Sequence, residues 1–180
     1  IKKSLGDIGG ALNDLNKAIE INPEFTLSYY QRGESKIEVD DLQGALDDLN
    51  KSIELEPNFG SAFFLRGYVR LTLNNSKDAI SDFNKALEIF PNFIFKNLKY
   101  DKENVYYNLG LAYGNISNSK EALFYFNQAE SYSKDNADYY YVRGAAKYDL
   151  ENIEGACIDW NKSSALGSEN AANLLKDFCE

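Results

Sequence analysis

One phrase of twelve residues recurs in this chain at intervals of 34 residues. It reads DLNKAIEINPEF from Asp14, DLNKSIELEPNF from Asp48 and DFNKALEIFPNF from Asp82. Two weaker copies begin at Tyr125 and Asp159, so one interval is 43 residues long and contains an insertion of nine. A fixed period of this length is typical of stacked repeats, in which each unit buries its apolar face against its neighbours.

A second phrase precedes four of these copies by 19 residues. It reads YYQRGESK at Tyr29, FFLRGYVR at Phe63, YYNLGLAY at Tyr106 and YYVRGAAK at Tyr140. Apolar residues in both phrases follow the spacing of a helix rather than the alternation of a strand. Prolines, which cannot sit inside a helix, close three copies of the first phrase, at Pro23, Pro57 and Pro91. The sequence therefore predicts an all-α chain of helix pairs.

Together the two phrases resemble the tetratricopeptide repeat over nearly the whole chain, in an array of bacterial type. The family pattern has a bulky residue, Leu-Gly, a large residue, and then Ala, an aromatic residue, Ala and Pro. The third repeat carries this pattern as Phe63, Arg66-Gly67, Arg70, Ala79, Phe83, Ala86 and Pro91. The resemblance implies a right-handed α-α superhelix, or solenoid, of antiparallel helix pairs.

The period divides this single array into segments. In order, they are a partial repeat over 1–25 that is mostly a second helix, repeats over 26–59 and 60–93, an insertion over 94–102, repeats over 103–136 and 137–167, and a capping helix over 168–180. The insertion either extends the following helix or forms a loop, and either is a tolerated surface insertion or adds an aromatic edge to a binding surface. Since Ile1 is not a start methionine, we expect a further upstream segment.

Composition argues against several classes of protein. The net charge of −9 disfavours nucleic acid as a partner, because that binding depends on Lys and Arg. No apolar run approaches the roughly 18 residues of a membrane span, and no signal peptide is visible. The chain has no His, and it has no Gly-rich phosphate loop or Ser/His/Asp set. We therefore expect no enzyme, no metal and no cofactor.

Arginine stands at the usual Leu position of three repeats, and aspartate follows 16 residues later. These pairs are Arg32 with Asp48, Arg66 with Asp82, and Arg143 with Asp159. In the fourth repeat both members change together, to Leu109 and Tyr125. We infer an ion pair between the two helices of one repeat; pairing between neighbouring repeats, such as Asp14 with Arg32, is the alternative. A solvent-exposed pair of this kind contributes only about 0.2–1 kcal/mol.

The two cysteines leave two alternatives open. Cys157 lies near the start of the last second helix and Cys179 near the end of the capping helix, at similar distances from the turn near Gly167. Antiparallel neighbours would bring them to similar height, so a disulfide is plausible. The alternative is two buried thiols that act as small hydrophobes. Localisation stays open with them: cytoplasmic if the cysteines are free, exported if they are paired.

The resemblance places a concave, groove-lining face on the first helices, at the second, fifth, ninth, twelfth and thirteenth places counted from Thr26, Gly60, Glu103 and Ala137. The fifth place is aromatic in every repeat, and none of the twenty residues is Lys or Arg. Some of these rings could instead fill the space between helices. The candidate groove residues are Tyr30, Glu34, Phe64, Tyr68, Asn104, Tyr107, Tyr141 and Tyr148, together with Asn108 at a sixth place.

These residues favour one kind of partner. Tetratricopeptide proteins that hold the acidic tails of heat-shock chaperones use a clamp of Lys, Arg and Asn, which only Asn108 resembles here, so chaperone tails are disfavoured. An aromatic, mildly acidic groove suits an extended neutral or basic peptide. The sequence thus predicts a non-enzymatic scaffold for protein interactions. The alternative is a self-assembly module that associates through its open N-terminal helix.

Overall fold

The computed structural model describes residues 7–89, 102–130 and 135–179. These residues contain ten α-helices and no strand, as the sequence predicts. They form two compact units, Ile1–Leu98 and Lys99–Glu180. The first unit contains α1 (Ile8–Ile21), α2 (Thr26–Glu38), α3 (Leu42–Leu55), α4 (Gly60–Thr72) and α5 (Ser76–Ile89). The second contains α6 (Lys102–Asn115), α7 (Ser119–Gln128), α8 (Ala137–Asp149), α9 (Ile153–Ala165) and α10 (Glu169–Phe178).

Within each unit, consecutive helices pack as pairs in the order of the repeats. Polar side chains explain several of the helix starts, since an N-cap oxygen accepts a bond from a backbone N–H that has no partner inside the helix. Asp41 accepts from the N–H of Gly44, and Ser168 accepts from that of Ala171 at the start of the capping helix. The predicted insertion lies outside the described residues except for Lys102, which begins α6.

The turn between the two helices of each full repeat has one geometry. Its second residue has a positive φ of 58 to 62° every time, at Asp40, Asn74, Ser117 and Glu151. Asn and Asp tolerate this left-handed conformation better than most residues, because their short side chains can bond locally. The period in sequence is therefore also a period in backbone conformation.

A glycine on the first helix of each pair receives the large residue that lies 16 positions later on the second helix. A Cβ built on Gly67 would lie 2.8 Å from Cε1 of Phe83, and one on Gly144 would lie 2.5 Å from Nε1 of Trp160. Phe83 and Trp160 are themselves fully buried. The missing side chain thus makes room for a large residue at the centre of each helix pair, which is Leu49 opposite Gly33 and an aromatic ring in the other three pairs.

The predicted Arg–Asp pairs form within their own repeats. Arg66 donates from Nε to Oδ2 of Asp82 at 2.9 Å and from Nη2 to Oδ1 at 2.6 Å. Arg32 with Asp48 and Arg143 with Asp159 repeat this two-bond geometry. The aspartate side chains are only 3 or 4% exposed, so the small contribution of a solvent-exposed pair does not apply to them.

Each of these carboxylates also holds a second cation, one helical turn after the arginine. Lys36 lies 2.8 Å from Asp48, and Arg70 lies 2.7 Å from Asp82. Lys147 approaches the third carboxylate in the same way, at 2.8 Å. Two positive groups on the first helix therefore hold one buried negative group on the second.

The remaining guanidinium nitrogen explains the asparagine in the first two copies of the first phrase. Nη1 of Arg32 donates to Oδ1 of Asn16 at 2.7 Å, and Nη1 of Arg66 donates to Oδ1 of Asn50 at 2.8 Å. In both cases the asparagine belongs to the preceding repeat. One arginine thus joins the two helices of its own repeat and also reaches the repeat before it.

These bonds also change the pKa of the arginines. The hydrogen bond to Asp48 raises the pKa of Arg32 above its ordinary value, against the lowering effect of burial. Burial would lower the pKa of Arg143, but the hydrogen bond to Asp159 and the charge of that carboxylate raise it on balance. Both guanidinium groups therefore stay charged although they are partly buried.

The fourth repeat replaces the ion cluster with an aromatic stack. Leu109 and Tyr113 occupy the positions of the two cations, and Tyr125 occupies that of the aspartate. The rings of Tyr113 and Tyr125 are 5.4 Å apart with an interplanar angle of 10°, and the ring of Tyr106 also stacks on Tyr125, at 6.2 Å. Burial raises the pKa of Tyr125 above its ordinary value, so its hydroxyl stays protonated. A ring contact between Tyr113 and Tyr125 thus replaces the ion pair between the second cation and the aspartate.

Two glycines on α6 test the role of the glycine positions. A Cβ on Gly110 would overlap the ring of Phe126, whereas one on Gly114 would meet nothing within 4 Å. We expect Gly110→Ala to lower the free energy of unfolding by about 1–3 kcal/mol through overpacking. Gly114→Ala should instead raise it by about 0.5–1 kcal/mol, because alanine favours the helix. Urea unfolding followed by circular dichroism measures both, and an equal effect of the two changes would contradict this explanation.

A double-mutant cycle tests the ion cluster. Asp82→Ala should lower the free energy of unfolding by about 3–5 kcal/mol, because it leaves two partly buried arginines without their carboxylate. Arg66→Ala should cost less, since Arg70 still pairs with Asp82. The coupling between Arg66 and Asp82 should be about 1–3 kcal/mol.

The same helix offers the control for this cycle. Lys85 and Glu88 on α5 form an exposed ion pair at 2.9 Å, for which we expect almost no coupling. Equal coupling in the two cycles would show that the buried cluster adds nothing beyond a surface pair.

Candidate functional site

The first-helix face of the first unit differs from its predicted form at the aromatic positions. Tyr30 is only 4% exposed and its ring lies 4.9 Å from that of Phe59. Phe64 is 2% exposed and its ring lies 5.9 Å from that of Phe83. Both rings fill space between helices, which is the alternative that the sequence left open. Their burial removes them from the set of side chains that a ligand can reach without rearrangement.

Other predicted residues of α2 and α4 lie at the surface. Tyr68 is exposed, Glu34 is partly buried, and the side chain of Leu27 is also accessible. The hydroxyl of Thr72 donates to the backbone oxygen of Tyr68 at 3.0 Å. This face of the first unit therefore presents scattered polar and apolar groups rather than a row of rings.

The second unit presents three of the predicted tyrosines as partly buried side chains. The ring of Tyr107 on α6 lies 6.0 Å from Phe126 and 6.4 Å from Tyr139. Tyr141 and Tyr148 on α8 are seven residues apart, which places them on the same side of that helix. Each tyrosine packs on the core and keeps part of its surface in solvent.

Trp160 contacts both tyrosines of α8, one at its backbone and the other at its ring. The backbone oxygen of Tyr141 accepts a hydrogen bond from Nε1 of Trp160 at 3.2 Å. The ring of Tyr148 lies 5.6 Å from that of Trp160 and 4.9 Å from that of Phe178. The buried Trp160 therefore fixes the backbone at Tyr141 and packs against the ring of Tyr148.

Asparagines complete the predicted set on α6. Nδ2 of Asn108 donates to the backbone oxygen of Asn104 at 2.8 Å, and Asn108 is only 9% exposed. The amide that resembled a clamp residue for acidic tails is thus bonded within its own helix. Asn104 lies one turn earlier and is partly exposed.

The electrostatics of this face are negative at both ends of α8. Asp138 is exposed in the first turn, and Asp149 is exposed at the last residue, where its Oδ2 accepts from the hydroxyl of Ser119 at 2.7 Å. The nearest lysine along α8, Lys147, is bound to the buried Asp159. The face of the second unit therefore combines phenol rings with carboxylates.

The capping helix adds a ring to this face that the groove pattern did not predict. Phe178 belongs to α10, is 44% exposed, and contacts both Tyr148 and Trp160. The structure also joins the sulfurs of Cys157 and Cys179 in a disulfide, with the two Cα atoms 5.8 Å apart. Phe178 is not at a groove place of the repeat count, but it is seven residues after Ala171 and therefore lies on the side of α10 that packs on the core.

Metal sites and membrane spans are two further classes of functional feature to consider in the described residues. They contain no group of three or more His, Cys, Asp or Glu that could hold a metal ion. None of their helices combines the length and the apolar character that crossing a membrane requires.

Sequence comparison agrees with the repeat pattern. The family model of the tetratricopeptide repeat matches residues 1–25, 60–93 and 103–136, which together cover just over half of the chain. The chain belongs to the tetratricopeptide repeat family. No curated protein matches the sequence.

Solved structures of this fold are similar over most of the chain. MamA from Desulfovibrio magneticus RS-1 has a TM-score of 0.76 at 21% identity, over 89% of this chain and 86% of that one. YrrB, a tetratricopeptide protein with an unusual peptide-binding site, has a TM-score of 0.72 at 22% identity, over 85% and 74%. PilF of Pseudomonas aeruginosa has a TM-score of 0.77 at 16% identity, over 94% and 73%. At these identities the likeness concerns the fold alone.

Proposed function

We propose that this chain is a non-enzymatic scaffold that binds an extended, neutral or basic peptide segment on the first-helix face of its second unit. One observation carries the proposal. Tyr107, Tyr141 and Tyr148 each pack on the core and remain partly accessible, on a face that bears carboxylates. Membership of the tetratricopeptide repeat family supports the protein-interaction part of the proposal.

The tyrosines have the properties of a peptide-binding surface. A phenol ring offers a large contact area and a polar hydroxyl, and it loses little conformational freedom on binding. Contacts with the core already restrict these rings, so less ordering remains for the moment of binding.

Charge decides the kind of peptide. Asp138 and Asp149 favour a segment with Lys or Arg, whose cations can also lie over tyrosine rings. An acidic chaperone tail would meet these carboxylates without a basic clamp, and Asn108 is bonded within its helix. The same argument and the net charge of −9 disfavour nucleic acid.

The peptide proposal is tested with extended peptides of one length and of positive, zero or negative net charge. Fluorescence anisotropy should show binding of the basic and neutral peptides and none of the acidic one. Asp138→Lys should weaken binding of the basic peptide about three- to tenfold, because it reverses a charge on the proposed face.

Glu154→Lys is the matched control for this change. Glu154 is also an exposed acidic residue in the first turn of a helix, but it lies on α9, a second helix. It should leave binding unchanged. Equal weakening by both substitutions would assign the effect to net charge and would contradict binding on the first-helix face.

Self-association through α1 is the second candidate function. Ile21, the last residue of α1, is 85% exposed, the largest value among the exposed large apolar side chains of the described residues. If α1 mediates assembly, the mass measured by light scattering should rise with protein concentration, and Ile21→Asp should abolish that rise. A concentration-dependent mass that is the same for both proteins would exclude this role for α1.

A further inference from the structure

A disulfide ties the end of the capping helix to the helix beneath it, next to the proposed binding face. Cys157 lies on α9, and Cys179 is the C-cap residue of α10, directly after Phe178. The ring of Phe178 lies 4.9 Å from that of Tyr148 and 6.3 Å from that of Trp160. The covalent bond thus holds a ring against a tyrosine of the face.

The rest of α10 gives its last turn weaker support. The helix has ten residues, of which Ala171, in the first turn, is the fully buried one. Leu174 and Leu175 pack against the cluster around Trp160 as partly buried side chains, whereas Phe178 is largely accessible. Helices of this length are marginal without tertiary support, and support here declines towards the C-terminus.

We propose that the disulfide between Cys157 and Cys179 is a redox switch for the Tyr148 end of the binding face. In the oxidised protein, Phe178 covers the rings of Tyr148 and Trp160. Reduction releases the last turn of α10, so that Phe178 leaves and both rings become accessible. The effect on ligand binding rests on the proposed function, but the structural opening does not.

The chemical step is a thiol–disulfide exchange with a dithiol. One thiolate of the reductant attacks a sulfur of the disulfide, forms a mixed disulfide and releases the other cysteine as a thiolate. The second thiol of the reductant then displaces the remaining cysteine. Two electrons and two protons end on the thiols of Cys157 and Cys179, and the reductant leaves as a cyclic disulfide. Both cysteines are only partly buried, which gives a small dithiol access.

Removal of the bond should loosen the last turn for an entropic reason. The disulfide closes a loop between residues 22 positions apart, which contains the turn between α9 and α10. Once the loop is open, the end of α10 regains conformations that the bond excluded. Loss of the bond therefore acts on Phe178 and Cys179 before it acts on the first turn of α10.

The opening is measured without any ligand through Trp160, the single tryptophan of the chain. Reduction with dithiothreitol should shift its emission to longer wavelength and increase its quenching by acrylamide, while far-ultraviolet circular dichroism changes little. Before reduction, the Phe178→Ala variant should already be quenched as strongly as the reduced wild-type protein. Reduction of the variant should not increase its quenching further. If oxidised and reduced wild-type protein are quenched equally, the switch is refuted.

The consequence for binding is measured with the basic peptide. Reduction should tighten its binding to the wild-type protein about two- to tenfold, which is the gain expected from one added aromatic contact. The double variant Cys157→Ser/Cys179→Ser should bind as the reduced protein does and should not respond to dithiothreitol.

The two proposals fail in different ways. Increased quenching with equal peptide binding in both redox states would overturn the control of binding by the disulfide. Absence of peptide binding in both states would overturn the proposed function, and Trp160 quenching would then decide the structural switch alone.

Discussion

The close approach of two helices at the glycine of each pair is the constraint on which the other contacts depend. Gly67 and Gly144 leave room for the rings of Phe83 and Trp160, which fill the centre of their helix pairs. At that separation a carboxylate on the second helix comes within bonding distance of two cations on the first. A side chain at the glycine position would push the helices apart, and the short bonds of the ion cluster would lengthen with them.

The ion cluster and the aromatic stack are two solutions for one location beside this contact. Asp82 is desolvated, so its burial is tolerated only because Arg66 and Arg70 surround it. Tyr113 and Tyr125 need no such compensation, since they bury rings and avoid burying charge. The ion cluster makes a contact that the aromatic stack does not: its arginine also bonds to an asparagine of the preceding repeat, which helps to fix how the two repeats pack.

Much of this arrangement could be predicted from the sequence because it is periodic. The repeat count placed the starts of α2, α4 and α8 at the residues where they begin, and it placed α6 within one residue. The joint change of Leu109 and Tyr125 identified the Arg–Asp pairing, because two residues that change together inside one chain report a contact. The second cation at Lys36, Arg70 and Lys147 was missed, although it recurs at the same spacing.

The orientation of the rings could not be predicted in the same way. The fifth place of the first helix lies where the surface meets the space between helices, so its exposure depends on the neighbouring side chains. Tyr30 packs on Phe59 and is buried, whereas Tyr107 occupies the equivalent place in the second unit and is only partly buried. The repeat pattern predicts which residue stands at the fifth place of a helix, but it does not predict which side chains pack around it.

The sequence also could not decide between free and paired cysteines, because similar height on two neighbouring helices allows a disulfide without requiring it. What the structure adds is the position of Phe178 beside that bond. The helix that closes the core of the second unit also covers one end of its tyrosine face. The contact between Phe178 and Tyr148 therefore belongs both to the packing of the cap and to the surface around Tyr148.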